Sequence, residues 1–212
     1  FPKGRTEVTG LPVREEFFHV PHRPRGTTLT VLITGGSQGS RTLNRAVEQS
    51  WTLWPKDAEQ DAELENVRLI HQTGVAAFAE IEPRFRVAGI DGELYAFLDD
   101  MPRAFAEADL VISRAGMGAV SELAAAGKPS ILVPLPTASD QHQLHNAEAM
   151  QKAGATLLLT DAELNGARLV QEVTQLAREP GRLEKMGAAA CQFARPGAAL
   201  RVAEILESYA SC

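Results

Sequence analysis

Cysteine is scarce in this chain of 212 residues: only Cys191, in a helical stretch, and Cys212, at the last position, occur. Neither stands in a Cys-x-x-Cys pairing, so there is no basis for a disulfide framework or a cysteine metal site, and a reducing cytoplasm fits best. Long apolar runs are missing as well. None approaches the roughly 18–20 residues that cross a bilayer, and the opening Phe1-Pro2-Lys3-Gly4-Arg5 is not a signal peptide. Positive charge is not in excess: 21 Lys and Arg face 27 Asp and Glu, a formal net charge of -6. That balance argues against a general nucleic-acid binder, because such affinity rests on neutralising phosphates, so any phosphate must be held locally. An initiating methionine is also lacking. The chain begins at Phe1 and runs straight into extended, proline-bearing sequence, which reads as the start of a fragment. No repeat and no low-complexity segment is found.

What the sequence has is a recurring strand-loop-helix pattern, in a chain whose 44% hydrophobic content suits one globular core. Residues 28–34 form a β-branched apolar run that stops at Gly35-Gly36, the pattern of a buried strand. Residues 40–51 follow with Leu43, Ala46 and Val47 at helical spacing. Further strands are predicted at 67–71, 94–98, 110–113, 130–133 and 156–159. The helices between and after them fall at 76–85, 102–108, 118–126, 141–153, 162–178, 180–195 and 197–209. Strands alternating with helices of this length predict an α/β fold, a doubly wound parallel sheet with helices on both faces. Residues 1–27 hold four of the twelve prolines and read as a linker with at most one edge strand. The main domain is expected at 28–195, with 196–212 as a C-terminal helix. The acidic segment 55–66 reads as an exposed connection.

Three loops can carry chemistry. The first is Thr34-Gly35-Gly36-Ser37-Gln38-Gly39-Ser40-Arg41, between the first strand and its helix. Small residues there let backbone N–H groups approach an anion at a helix N-terminus, and a diphosphate fits; a tight turn with glycines for packing alone is the other reading. It is not the dinucleotide fingerprint, since Ser37 and Ser40 stand where glycines are needed and no acidic residue ends the second strand. The second runs from Asp109 to Glu122, through Arg114-Ala115-Gly116-Met117-Gly118-Ala119. It lies at the carboxyl end of a later strand, on the edge where open α/β folds bind ligands. Glu122 is either a neighbour of the helix dipole or an acceptor for two vicinal ribose hydroxyls. The third is Pro134 to Ala147. His142, Gln143 and Asn146 open a helix at i, i+1 and i+4, suited to sugar hydroxyls, with an ordinary helix capped by Asp140 as the alternative. Asp140, His142 and His145 lack the His-Glu-x-x-His spacing of a metal site, and no metal is expected.

Taken together these loops resemble the MurG family of UDP-N-acetylglucosamine transferases. The resemblance rests on Gly10-Leu11-Pro12-Val13-Arg14, Gly35-Gly36-Ser37-Gln38-Gly39, Phe97-Leu98-Asp99-Asp100-Met101, Ala108-Asp109 with Arg114-Ala115-Gly116, Ser121-Glu122 through Lys128-Pro129, and Asp140-Gln141-His142-Gln143 with Asn146-Ala147. The six motifs occur in the family's order along nearly the whole chain. It implies a Rossmann-like domain, the second of two in a GT-B glycosyltransferase, that binds UDP-N-acetylglucosamine as donor substrate and needs no other cofactor. It further implies that Gly36, Ser37, Gln38 and neighbouring amides hold the diphosphate with Arg14 near it, and that Leu98 meets the uracil through its backbone. Met117, Gly118 and Ala119 would line the diphosphate and ribose, Glu122 would bind the ribose hydroxyls, and His142, Gln143 and Asn146 would address the N-acetylglucosamine.

No catalytic residue is expected within these residues. In the family the acceptor lipid I, the membrane contacts and the candidate base belong to the first domain, toward which the C-terminal helix would return. The intact enzyme would sit on the cytoplasmic face of the inner membrane, and this chain alone would not turn over. Two departures stand out: Leu11 replaces the asparagine common in the Gly-Asn-Pro-Val-Arg motif, and Ala119 stands where threonine is frequent. Two other readings stay open, a non-catalytic nucleotide-sugar-binding subunit of a split glycosyltransferase and a UDP-sugar epimerase of the same architecture.

Overall fold

The computed structural model describes residues 6–22, 26–54, 66–179 and 181–210. Six strands, β1 (Thr28–Thr34), β2 (Asn66–Gln72), β3 (Gly92–Tyr95), β4 (Leu110–Ser113), β5 (Ser130–Leu132) and β6 (Thr156–Leu158), form one sheet in the order β3-β2-β1-β4-β5-β6, with every neighbouring pair parallel. Parallel strands need long crossovers, and helices supply them: α1 (Arg41–Ser50), α2 (Val75–Ala88), α3 (Met101–Glu107), α4 (Met117–Ala126) and α5 (His142–Lys152). After β6 come α6 (Gly166–Arg178), α7 (Arg182–Cys191) and α8 (Ala198–Ala210).

Strand periodicity divides the core into two layers. Leu29, Val31 and Ile33 of β1 pack with Leu43 and Val47 of α1, Ile81 and Phe85 of α2, and Leu169 and Val173 of α6. Leu32 points the other way, toward Phe105 of α3, Leu123 of α4 and Met150 of α5. Burial on both faces explains why β1 reads as a continuous apolar run. The register aligns the carboxyl ends of the strands. Tyr95, Gln72, Thr34, Ser113, Leu132 and Leu158 form one row across the sheet, so the loops leave from one level.

Several elements differ from the expectation. Among the described residues no strand precedes β1. Instead a 3-10 turn at Glu15–His19 buries Phe17 completely, edge-on to Phe105 at 5.1 Å, so this part of the segment expected as linker belongs to the core. Strand β3 begins and ends earlier than 94–98. Once Tyr95 has paired with Gln72 at the last position of β2, the ladder has no further partner, and Phe97 and Leu98 fall in the loop beyond. Helix α6 begins at Gly166 rather than 162, because Asn165 caps it, accepting from the Arg168 N–H at 3.0 Å. Before the cap, Glu163 turns back to Thr160. The expected connection at 55–66 lies, but for Asn66, outside the described residues.

The end of β2 carries a buried polar run, His71, Gln72 and Thr73, each about 1% exposed. Asn44 donates through Nδ2 to the Thr73 carbonyl (2.9 Å) and presents Oδ1 to His71 Nε2 (3.0 Å). His71 therefore carries its proton on Nε2, and Nδ1 has no partner. Burial lowers the pKa of this imidazole from 6.5 to about 3. Between those values the unfolded chain binds a proton that the folded one refuses. The histidine's contribution is complete above pH 6.5 and is lost as pH falls toward 3, at up to about 1.4 kcal/mol per pH unit. His71→Gln is expected to flatten the fall in urea midpoint on going from neutral to mildly acid pH. Parallel curves for the two proteins would assign the acid sensitivity elsewhere.

Candidate functional site

The strand order reverses between β1 and β4, and the crevice past their carboxyl ends is where open α/β sheets bind ligands. A cleft of about 550 Å³ lies there. Its first wall is the loop between β1 and α1. Gly36 and Gly39 hold φ of 81° and 72°, the Gly39 N–H bonds to the Gly36 carbonyl (2.9 Å), and the Gly36 N–H bonds to Thr34 Oγ1 (3.1 Å). Ser40 caps α1 by accepting from the Leu43 N–H at 3.3 Å. The N–H groups of Ser37 and Gln38 find no acceptor among the described residues. The opposite wall is the start of α4, whose cap residue Gly116 offers no side chain, so its first-turn amides at Gly118 and Ala119 also remain for a ligand. The free amides of the glycine loop and the N-terminus of α4 thus face one cleft, an arrangement that stabilises a bound anion.

Glu122 lies in the second turn of α4 and lines the cleft without a hydrogen-bond partner. Partial burial pushes its carboxyl above the usual range, and the Arg14 guanidinium acts against that rise. Arg14 reaches the cleft from the segment before β1 and rests over the Phe17 ring at 5.2 Å. Leu98 closes one end. Its N–H already donates to the Gln72 side chain at 2.9 Å, so backbone recognition by this residue falls to its carbonyl.

Of the residues singled out from sequence, Arg14, Gly36, Ser37, Leu98, Gly118, Ala119, Glu122 and Gln143 line this cleft. Gln143 accepts from the Leu135 N–H at 3.0 Å, which leaves its NH2 for a ligand. Gln38, Met117, His142 and Asn146 do not line it. Gln38 lies next to the lining residue Ser37, and its N–H has no acceptor among the described residues. Met117 and Asn146 face an adjoining groove of about 160 Å³, and Asn146 donates to the Ala115 carbonyl at 3.0 Å, bracing the loop before α4. His142 is exposed and bonds through Nδ1 to the Ser139 carbonyl (2.8 Å). Nor does Asp140 cap α5. Asp140 and Gln141 both take left-handed φ of about 50°, and Gln141 stands at the cap without a side-chain bond.

Two further cleft residues, given no role from sequence, hold its loops. Gln72 is buried beneath both loops, and Arg114 is held by Asp161 and the carbonyls of Val133 (3.2 Å) and Pro134 (3.3 Å). The signal for Gln72 was an amide side chain at the carboxyl end of a strand, the edge where open α/β sheets bind ligands. For Arg114 it was a charged residue directly after the last residue of a buried strand.

Comparison with known proteins agrees with this geometry. The family model of the glycosyltransferase family 28 C-terminal domain matches residues 30–202. A UDP-N-acetylglucosamine--N-acetylmuramyl-(pentapeptide) pyrophosphoryl-undecaprenol N-acetylglucosamine transferase of Solibacter usitatus is 56% identical over 210 residues, covering 99% of this chain and 56% of that protein. The Azotobacter vinelandii protein of the same name is 41% identical over 206 residues, 96% of this chain and 56% of its own length. The crystal structure of Acinetobacter baumannii MurG superposes with a TM-score of 0.73 at 29% identity, covering 88% of this chain and 55% of that one. The chain therefore spans little more than half the length of the relatives it matches. With the family model running across most of its length, the Rossmann-like sheet is that of a glycosyltransferase of the GT-B type, and the chain belongs to the family 28 C-terminal domain.

Proposed function

We propose that this chain is the donor-binding half of an inverting glycosyltransferase, which moves N-acetylglucosamine from UDP-N-acetylglucosamine to the C4 hydroxyl of lipid I. The observation that carries the reading is the meeting of the glycine loop after β1, the N-terminus of α4 and a carboxylate without a hydrogen-bond partner, Glu122, in a single cleft. The amides of Ser37 and Gln38 and the first turn of α4 hold the diphosphate. Glu122 accepts from the two ribose hydroxyls, the Leu98 carbonyl accepts from uracil N3–H, and Gln143 donates to the sugar. His142 and Asn146 keep the roles the family resemblance implies only with movement toward the cleft.

In the reaction the acceptor oxygen forms a bond to the anomeric carbon on the face opposite the diphosphate. The bond to the diphosphate oxygen breaks with its electron pair, and UDP leaves against the amides and Arg14. Preorganised donors at developing charge are the largest contribution such a site makes. The acceptor's proton passes to a base on the other half of the enzyme. Lipid I contacts and attachment to the cytoplasmic membrane face also belong to that half. No described helix is long and apolar enough to cross a membrane. The exposed Leu200, Leu206 and Tyr209 of α8 suit a helix that packs on the other half. An epimerase is the weaker reading, since the relatives that match over nearly the whole chain carry transferase names.

Two charge-assisted hydrogen bonds to a ribose diol are worth about tenfold to a hundredfold in affinity. Glu122→Ala is expected to weaken UDP by that factor, while 2′-deoxy-UDP, which lacks one hydroxyl, loses less. Because burial raises the Glu122 pKa, UDP affinity should also begin to fall at a pH above the ordinary carboxylate range. Equal losses for UDP and the deoxy compound in calorimetry would remove the carboxylate from the ribose.

A further inference from the structure

Loop geometry in the cleft depends on one buried amide. Gln72 closes β2 and its side chain is about 1% exposed, beneath the loop after β1 on one side and the loop after β3 on the other. Its Nε2 donates to the Gly36 carbonyl at 2.8 Å and approaches Thr34 Oγ1 at 3.4 Å, and its Oε1 accepts from the Leu98 N–H at 2.9 Å. The partners fix which end is which, since a carbonyl can only accept and an amide N–H can only donate. A primary carboxamide is the side chain of this length that offers one donor end and one acceptor end together. Among the described residues no other side chain bonds to both loops.

The loops so joined are the two that receive opposite ends of a nucleoside diphosphate in the reading above, on which this inference rests. We propose that Gln72 is a positioning residue of the donor site: its carboxamide sets the distance between the diphosphate loop at Gly36 and the base loop at Leu98, so that one ligand spans both. The base loop needs such a tie. It follows β3, a strand of four residues at the edge of the sheet, and past Tyr95 it has left the ladder. Without the amide, the Leu98 N–H is left unpaired and the Gly36 carbonyl keeps only its bond from the Gly39 N–H, and the two ends of the site can drift apart. A ligand that must touch both ends then loses affinity without losing any contact of its own.

Two substitutions of similar volume test this by calorimetry with UDP. Gln72→Met removes both bonds and is expected to weaken UDP about tenfold to a hundredfold. Gln72→Glu keeps the acceptor for Leu98 but, when ionised, turns a bare oxygen toward the Gly36 carbonyl. When protonated, the new carboxyl can donate its O–H to Gly36 and restore the tie. Burial raises a carboxyl's pKa, so the restoration should come in mildly acid solution. The affinity ratio of the unsubstituted chain to Gln72→Glu is expected to be tenfold or more at about pH 8 and to close to within about threefold near pH 5.5, while the ratio to Gln72→Met stays level. Taking ratios at each pH cancels the titration of UDP and of Glu122. Should Gln72→Met fail to fold, thermal melting reveals it and the pH series on Gln72→Glu decides alone. A ratio for Gln72→Glu that does not change with pH, or UDP binding by either variant equal to that of the unsubstituted chain, overturns the inference. Failure of the unsubstituted chain to bind UDP overturns the donor-half reading itself, and the inference with it.

Discussion

Gly39→Ala is expected to lower the stability of this chain by about 3–5 kcal/mol, near the upper end for single substitutions. Gly39 holds a φ of 72°, which alone costs an alanine about 1 kcal/mol. The larger cost is steric. A methyl group there would stand 2.8 Å from the Thr73 carbonyl carbon and closer still to its oxygen. Both are backbone atoms, so no rotamer change relieves the clash. Thr73 cannot retreat either, because its N–H is bonded to the Tyr95 carbonyl at 2.9 Å and its own carbonyl accepts from Asn44. The neighbouring Gly74 is equally tight, with a methyl group 2.6 Å from the Gln38 carbonyl oxygen. Two backbones thus pass in contact beneath the diphosphate loop. Gly36→Ala is the internal control, because its φ of 81° carries the same conformational cost while open space surrounds it. It should lose only about 1 kcal/mol. Urea unfolding of both variants checks the difference, and equal losses would show that φ rather than the close approach governs this loop.

Arg114→Ala is expected to cost a similar amount, about 3–5 kcal/mol, by a different cause. Arg114 and Asp161 have side chains only 12% and 22% exposed, and the arginine also donates to the carbonyls of Val133 and Pro134. Asp161 accepts in addition from Thr42 Oγ1 at 2.9 Å. The pair ties the loops after β4, β5 and β6 to the first turn of α1. Truncation leaves a mostly buried carboxylate and two carbonyls without their cation, and it is the unpaired charge that is costly. Arg114→Lys keeps a charge but not the planar fork and should fall between. Because the two residues act as one unit, Arg114→Ala combined with Asp161→Ala should cost clearly less than the two single losses added. Strict additivity in denaturation experiments would dissolve the pair as a structural unit.

Much of this architecture was legible in the sequence because the strands are buried on both faces. The apolar runs at 28–34 and 110–113 coincide with β1 and β4, and the helical periods of α1, α4 and α5 end within one residue of their predicted limits. Less legible were the places where a side chain, not a propensity, sets the boundary. The Asn165 cap delays α6, and Gln72 takes over the hydrogen bonding after β3 ends. In the site, glycine-rich loops between a strand and a helix announced an anion cradle, and eight named residues do meet in one cleft. Spacing within α5 could not say which face turns inward, because Asp140 and Gln141 enter that helix through left-handed backbone rather than a capped turn. No role was read for Gln72 or Arg114, for a related reason. Each is defined by partners 26 to 47 residues away in sequence, Leu98 and Gly36 for one and Asp161 for the other.

Whether the cleft at the β1–β4 switch point takes a uridine diphosphate sugar, as proposed above, is decided by titrating this chain with UDP and UDP-N-acetylglucosamine in a calorimeter, with ADP-ribose as the control ligand. Saturable binding of both uridine ligands at one site, with markedly weaker binding of the adenine one, is the expected result. Tighter binding of ADP-ribose, or no discrimination between the bases, would contradict it.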